Sequence, residues 1–347
     1  MSASRLPRSI AVALAALLPA IASFAAQTGP RSSSLTLHGS RAGARVDVVQ
    51  GEDQTSLDVP ASARLERLVA ARNGWILTAL EGGLDARTEV LVWTLEVDGI
   101  ARRLPSPTLA AGAEEVRDPI PLVDRTGTLE ALVWLEGGDP QGLVIRHAEW
   151  SGAVWHEPAT VVERAPGSQL ALDAATLADG THLLVWSRYD GADDEIFWAT
   201  LADGQLAAPR RAHADNDVPD ITPAVVATPS GLLLAWSRFD GHDYRLHLAR
   251  LEGEEWRAYH TLPGRGAFLP RWQIADSGEL FLTYRNGERQ AWSTARLDDA
   301  GTVRQLAHTA GPADATPRLA VVGDREVLVL EGGRALTLDW QPAPSLP

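Results

Sequence analysis

The sequence predicts an all-β protein, a six-bladed β-propeller of four-stranded antiparallel blades, and three observations carry that expectation. Glycines at Gly74, Gly127, Gly180, Gly231, Gly278 and Gly323 each open a short hydrophobic run and recur at intervals of 53, 53, 51, 47 and 45 residues, a period typical of propellers and solenoids. Each repeat reads as several short strands without helical periodicity. The central strand of the repeat is apolar on both faces, so it must lie between two other layers.

Taken in chain order, the first element is a leader. Met1 to Arg8 holds Arg5 and Arg8, Ile10 to Ala22 is apolar, and Ser23 and Ala25 are small, the pattern of a signal peptide over residues 1–25. Its apolar run is shorter than the roughly 20 residues of a membrane span, and no later segment is long or apolar enough to cross a bilayer. The expected location is periplasmic or secreted. Residues 26–59 follow as an N-terminal segment with strand-like stretches at Ser34 to His38 and Arg45 to Val49, and residues 60–347 as the propeller.

The third and fourth repeats define the unit. Asp179-Gly180 opens the run Thr181 to Tyr189, closed by Asp190-Gly191; Ser230-Gly231 opens Leu232 to Phe239, closed by Asp240-Gly241. Glycine supplies the backbone freedom of the first turn and Asp-Gly closes the strand. A Pro-led strand precedes the run, with prolines at Pro119, Pro223, Pro270 and Pro317 expected at the strand's first residue, where a missing N–H is tolerated. Two further strands follow, Glu195 to Leu201 then Gln205 to Ala212, and Tyr244 to Leu251 then Trp256 to Leu262, with polarity rising toward the fourth. Sheets with two apolar faces cannot stand alone in water, and radial stacking covers both. Trp134, Trp186 and Trp236 share one repeat position that Tyr284 matches, and are expected to wedge between blades. The last repeat has too few residues for a fourth strand, so Ser34 to Val49 is expected to complete it, pairing into the sheet of Leu328 and Leu338 and closing the ring.

Composition narrows function. The 347 residues contain no cysteine, which excludes disulfides, thiolate metal sites and a cysteine nucleophile. Every basic side chain is arginine, and the net charge is −14, a balance that argues against nucleic acid or an anionic membrane as partner. Nine histidines occur without metal-ligand spacing, so no metal site is expected from them. No Gly-x-Ser-x-Gly elbow or Gly-rich phosphate loop is present.

Function in such a ring gathers where the linkers into each first strand meet the turns between second and third strands. That end carries Arg188, Asp190, Asp193 and Asp194 from one repeat, Arg238, Asp240, His242 and Asp243 from the next, and the linker His213 to Asp220 between them. Asp173, Arg271 and Arg318 fall on innermost strands near the channel mouth. Arg188, Arg238, Arg271, Arg318 and Asp173 are therefore the candidate ligand-binding residues, suited to an anionic sugar or a carboxylate. No cofactor is expected; the Asp and Asn residues of the linker could hold calcium, which favours oxygen ligands, although they lack EF-hand spacing. The structural alternative has Arg188 and Arg238 simply pairing with Asp190 and Asp240.

The segments Trp186-Ser187-Arg188-Tyr189-Asp190-Gly191 and Trp236-Ser237-Arg238-Phe239-Asp240-Gly241 resemble TolB-like six-bladed propellers. The Gly-x-x-Trp turns at Gly152 to Trp155 and Gly253 to Trp256 resemble the sialidase-like (neuraminidase) superfamily. These resemblances imply a fold, since neither a Ser-x-Asp-x-Gly-x-x-Trp box nor a Phe-Arg-Ile-Pro motif occurs. The expectation is an exported, non-catalytic propeller that binds a protein, glycan or cell-envelope ligand through one end of the ring. The alternative is a sialidase-like glycoside hydrolase or lyase with a diverged site, which would require acids, arginines and one of the four tyrosines to converge on the channel mouth.

Overall fold

A computed structural model describes residues 33–342 except for 41–42, 51–52, 61, 83–87, 97–98, 139–141, 164–166, 215, 275–277, 311–317, 323–324 and 330–334. The leader expected at 1–25 lies outside the described residues. The chain is an all-β propeller. Its N-terminal strands β1 (Ser33–Ser40), β2 (Gly43–Gln50) and β3 (Asp53–Val59) form a three-stranded sheet. The first blade holds β4 (Ala63–Ala71), β5 (Gly74–Glu81), β6 (Glu89–Glu96) and β7 (Ala101–Arg103); the second holds β8 (Glu115–Val123), β9 (Leu129–Gly138), β10 (Gly142–Glu149) and β11 (Ala159–Val162). In the third, β12 (Gln169–Thr176), β13 (His182–Tyr189) and β14 (Asp194–Ala202) are followed by an outer strand split into β15 (Gln205–Leu206) and β16 (Arg210–Arg211). The fourth holds β17 (Asp220–Thr228), β18 (Gly231–Phe239), β19 (Tyr244–Glu252) and β20 (Glu255–Leu262). The fifth holds β21 (Ala267–Ile274), β22 (Leu280–Asn286), β23 (Ala291–Leu297) and β24 (Val303–Ala310). A last sheet of β25 (Arg318–Val322), β26 (Arg325–Val329) and β27 (Ala335–Thr337) follows, and β28 (Gln341–Pro342) returns to pair with β24.

Five four-stranded blades thus replace the six expected. The sixth repeat stays a three-stranded sheet, and the segment from Ser34 to Val49 pairs within its own β1–β2–β3 meander instead of joining β25–β27. Adjacent hairpins close at far lower entropic cost than a pairing between the two ends of the chain. β1 does lie beside β25, without a hydrogen-bonded ladder between them.

The period of the sequence has a backbone cause. Gly74, Gly127, Gly180, Gly231 and Gly278 all have positive φ, and a Cβ on Gly127 would sit 2.6 Å from the Arg72 nitrogen. Second strands are buried along nearly their whole length. The cores lie between sheets: Trp186 packs between the second and third blades, Trp236 between the third and fourth, Trp134 between the first and second, and Tyr284 between the fourth and fifth. All four are at most 2% exposed, so the wedge assignment stands.

Every inner strand of the five blades carries a register shift, between Leu65/Arg67, Arg117/Ile120, Gln169/Leu172, Ile221/Ala224 and Phe268/Arg271. Pro119, Pro223 and Pro270 sit inside these irregularities, not at the first residue as expected. A bulge leaves a residue outside the ladder, so proline's missing N–H costs nothing there. The residues before them, Asp118, Thr222 and Leu269, have φ of 47°, 50° and 55°. Bulges re-aim side chains, and here they do so along the central channel.

Candidate functional site

The bulged inner strands bring five charged side chains together across the channel. Arg67 on β4 pairs with Asp173 on β12 at 2.5 Å, although β8 separates those strands in the ring. Asp173 Oδ2 also accepts the backbone N–H of Val225 on β17 at 2.9 Å, and Asp118 on β8 accepts that of Leu172 at 3.1 Å. Glu66 accepts from Arg64 at 2.6 Å. Arg271 on β21 faces this group, and among the described residues no carboxylate lies within ion-pair distance of it. The nearby positive charge of Arg67, followed by burial, lowers its pKa, while Asp118, Asp173 and Glu66 act in the opposite direction. Burial first, then the charge of Asp118, raises the Glu66 carboxyl, with Arg64 opposing.

Two of the five candidates read from sequence, Asp173 and Arg271, therefore meet in the channel, and Glu66, Arg67 and Asp118 join them. Arg238 and Arg188 do not. Arg238 is held by Asp220, with Nε 2.8 Å from Oδ1 and Nη2 3.0 Å from Oδ2. The guanidinium of Arg188 lies 3.6 Å over the Phe197 ring. The expected pairs with Asp190 and Asp240 are formed by other arginines: Arg211 takes Asp190 at 2.7 Å and Arg245 takes Asp240 at 2.9 Å. Antiparallel register explains the exchange, because Asp220 stands directly opposite Arg238 across β17 and β18, whereas Asp240 turns its other oxygen to the backbone N–H groups of His242 and Asp243. Arg318 lies on β25 opposite Val329, and its side chain is outside the described residues.

No tyrosine joins the channel group among these contacts. The hydroxyls of Tyr189, Tyr259 and Tyr284 donate to the carbonyls of Gly191, Gly301 and Pro263, and Tyr244 packs between Phe239 and Phe268. A separate shallow pocket of about 270 Å³ between the second and third blades is lined by Glu115, Arg117, Ser168 and Leu170 among others. Among the described residues the one grouping of three metal-type side chains is Glu195, His213 and Asp220, at the linker between the third and fourth blades.

Glu195 in that linker group gives a pH expectation. Burial, opposed by the Asn216 N–H, pushes its carboxyl up from 4.5 to about 7, with Asp220 and Asp193 adding to the rise and Arg211 opposing it. A folded pKa above the unfolded one means the protonated form favours folding. That contribution is full below about pH 4.5 and is lost as pH rises through about 7. Urea melts of metal-free protein should show stability falling over this window, and Glu195→Gln should flatten the fall. Parallel curves for the two proteins would assign the pH dependence elsewhere.

The sequence matches no known family pattern and no curated protein. Solved structures share the fold. A protein of unknown function from Dyadobacter fermentans superposes with a TM-score of 0.55 at 13% identity, covering 89% of this chain and 97% of that one. An ulvan lyase of polysaccharide lyase family 25, bound to -[GlcA(1-4)Rha3S]-, gives 0.53 at 8% identity over 92% and 96%. A putative 6-phosphogluconolactonase from Bacteroides uniformis gives 0.52 at 12% over 91% and 97%. Likeness at these identities is likeness of fold, and site chemistry must be argued from this chain's own residues.

Proposed function

We propose that this protein is an exported propeller that binds an anionic ligand, an acidic glycan or a carboxylate-bearing cell-envelope component, at the channel mouth through Arg271 and Arg67. The supporting observation is Arg271 itself: a partly buried guanidinium beside a second arginine, with no ion pair of its own among the described residues. A guanidinium fork matches carboxylate and sulfate oxygens bidentately. An incoming anion would relieve the repulsion between the two arginines, while Asp173 holds Arg67 in place. The ulvan lyase of similar fold carries a uronate and sulfated sugar, which sets the class of probe to try first.

Binding of polyuronates and sulfated oligosaccharides is measured by calorimetry for the wild type, Arg271→Ala and Arg271→Lys. Charge-assisted hydrogen bonds contribute about 1.5 to 3 kcal/mol each, so the alanine variant should bind roughly 10- to 150-fold more weakly, with lysine recovering part of the loss. Unchanged binding of a confirmed ligand by the alanine variant sinks the assignment.

The second reading, a glycoside hydrolase or lyase, draws on Glu66, whose carboxyl is raised by burial and by the neighbouring Asp118, the environment a general acid needs. The absence of a tyrosine in the described channel contacts favours binding over sialidase-type catalysis. Turnover of aryl glycosides or uronate polymers that Glu66→Gln abolishes would establish the enzyme reading.

A further inference from the structure

Glu195, His213 and Asp220 come from three separate places in the chain: the start of β14, the linker, and the start of β17. Glu195 and Asp220 side chains are fully buried, and that of His213 is 12% exposed. His213 Nε2 lies 3.3 Å from Glu195 Oε2 and 3.3 Å from Asp220 Oδ2, and the three atoms lie within 4.8 Å of one another. Donors at about 2.0 to 2.1 Å from a tetrahedral zinc stand about 3.3 Å apart, so both measured edges are those of a tetrahedral cation site.

A second observation points into the same space. Glu195 Oε2 and His213 Nε2 are buried and have no hydrogen-bond partner, whereas the other faces of these groups are fixed. The Asn216 amide donates to Glu195 Oε1 at 3.2 Å and to Asp220 Oδ2 at 2.9 Å, and its backbone N–H donates to Glu195 Oε1. Trp236 Nε1 donates to Asp220 Oδ1 at 2.6 Å, and its ring stacks on His213 with centroids 5.7 Å apart. His213 Nδ1 lies 2.9 Å from the Ala214 carbonyl. Donating there leaves Nε2 as a bare lone pair, the arrangement that orients metal-binding imidazoles. Nδ1 also lies 3.0 Å from Arg238 Nη2. If it accepted from Arg238 instead, the ring proton would sit on Nε2 between the two carboxylates, which is the competing state.

Charge also singles out Glu195. Arg238 neutralises Asp220 directly, but Arg211 stands 3.8 Å from Glu195 Oε1 and is turned to Asp190. We propose that Glu195 Oε2, His213 Nε2 and Asp220 Oδ2 bind one divalent cation of the zinc class, with a fourth tetrahedral position left for water or a ligand atom. The site is fixed by the linker and does not include Arg271, so this proposal and the channel reading stand independently.

The test uses purified, chelator-treated protein titrated with Zn²⁺ by calorimetry and with Co²⁺ by visible absorption. One equivalent of each should bind, with the intense spectrum of tetrahedral Co²⁺. Losing even an outer partner of a metal ligand costs roughly 10- to 100-fold in affinity, so Glu195→Gln and His213→Gln should each lose at least that much while circular dichroism shows them folded. Should either variant fail to fold, the wild-type titrations and the imidazole ¹⁵N shifts of His213 still decide. A Nε2 proton that persists in the presence of zinc, no saturable binding at one equivalent, an octahedral Co²⁺ spectrum, or unchanged zinc affinity in a folded variant would each overturn the site.

Discussion

Replacing Asp220 with alanine should lower the unfolding free energy of the metal-free protein by about 3 to 5 kcal/mol, the usual cost of stranding one half of a buried ion pair. The carboxylate is fully buried and accepts from Arg238, Trp236 and Asn216. Its removal strands a guanidinium and an indole N–H at the start of an inner strand. Asp220→Asn, which keeps the volume and part of the hydrogen bonding, should cost less. Urea melts followed by fluorescence and circular dichroism measure both. A loss below about 1 kcal/mol for the alanine variant, the range of an exposed pair, would mean that solvent already compensates Arg238.

The tryptophan wedges should cost as much and divide instructively. Trp186→Ala and Trp236→Ala each remove a large buried side chain, a change worth roughly 3 to 5 kcal/mol. Phenylalanine separates packing from polarity. Trp186 Nε1 is buried without a hydrogen-bond partner, so Trp186→Phe surrenders volume but no bond. In Trp236→Phe the indole donor to Asp220 is lost and the carboxylate is left short of a partner, adding about 1.5 to 3 kcal/mol for a bond to a charged group. Equal cost for the two phenylalanine variants would show that the Trp236 contact contributes little.

The repeat was legible because its cause is local: five glycines with positive φ mark the turns, and each precedes a strand apolar on both sides. How the two ends of the chain are arranged was not legible. The residues of β1 satisfy an antiparallel ladder with β2 as readily as one with β26 or β27, and no local pattern distinguishes them. The site was half legible for a similar reason. Arg271 and Asp173 were found because innermost strands line a channel, but Glu66, Arg67 and Asp118 reach it through bulges that composition does not reveal. The Asp220–Arg238 pair was not readable by counting back from the Gly231 turn: the register that pairs Thr228 with Gly231 and Ala224 with Ala235 would put Asp220 opposite Phe239, and the bulge between Ile221 and Ala224 shifts it to Arg238. Proximity in the chain therefore pointed to Asp240.

The left-handed residues of the inner strands set a limit on engineering this molecule. A non-glycine residue in that conformation costs about 1 to 2 kcal/mol, and a following proline restricts it further. Leu269, 45% exposed with φ of 55°, is thus an obvious place to raise the melting temperature with glycine. It is also two residues from Arg271, and relaxing it would loosen the aim of the guanidinium it helps to place. Thermostabilised variants selected at these three positions should therefore be screened for ligand capture as well as for melting, since stability gained where a fold stores strain is commonly paid for in function.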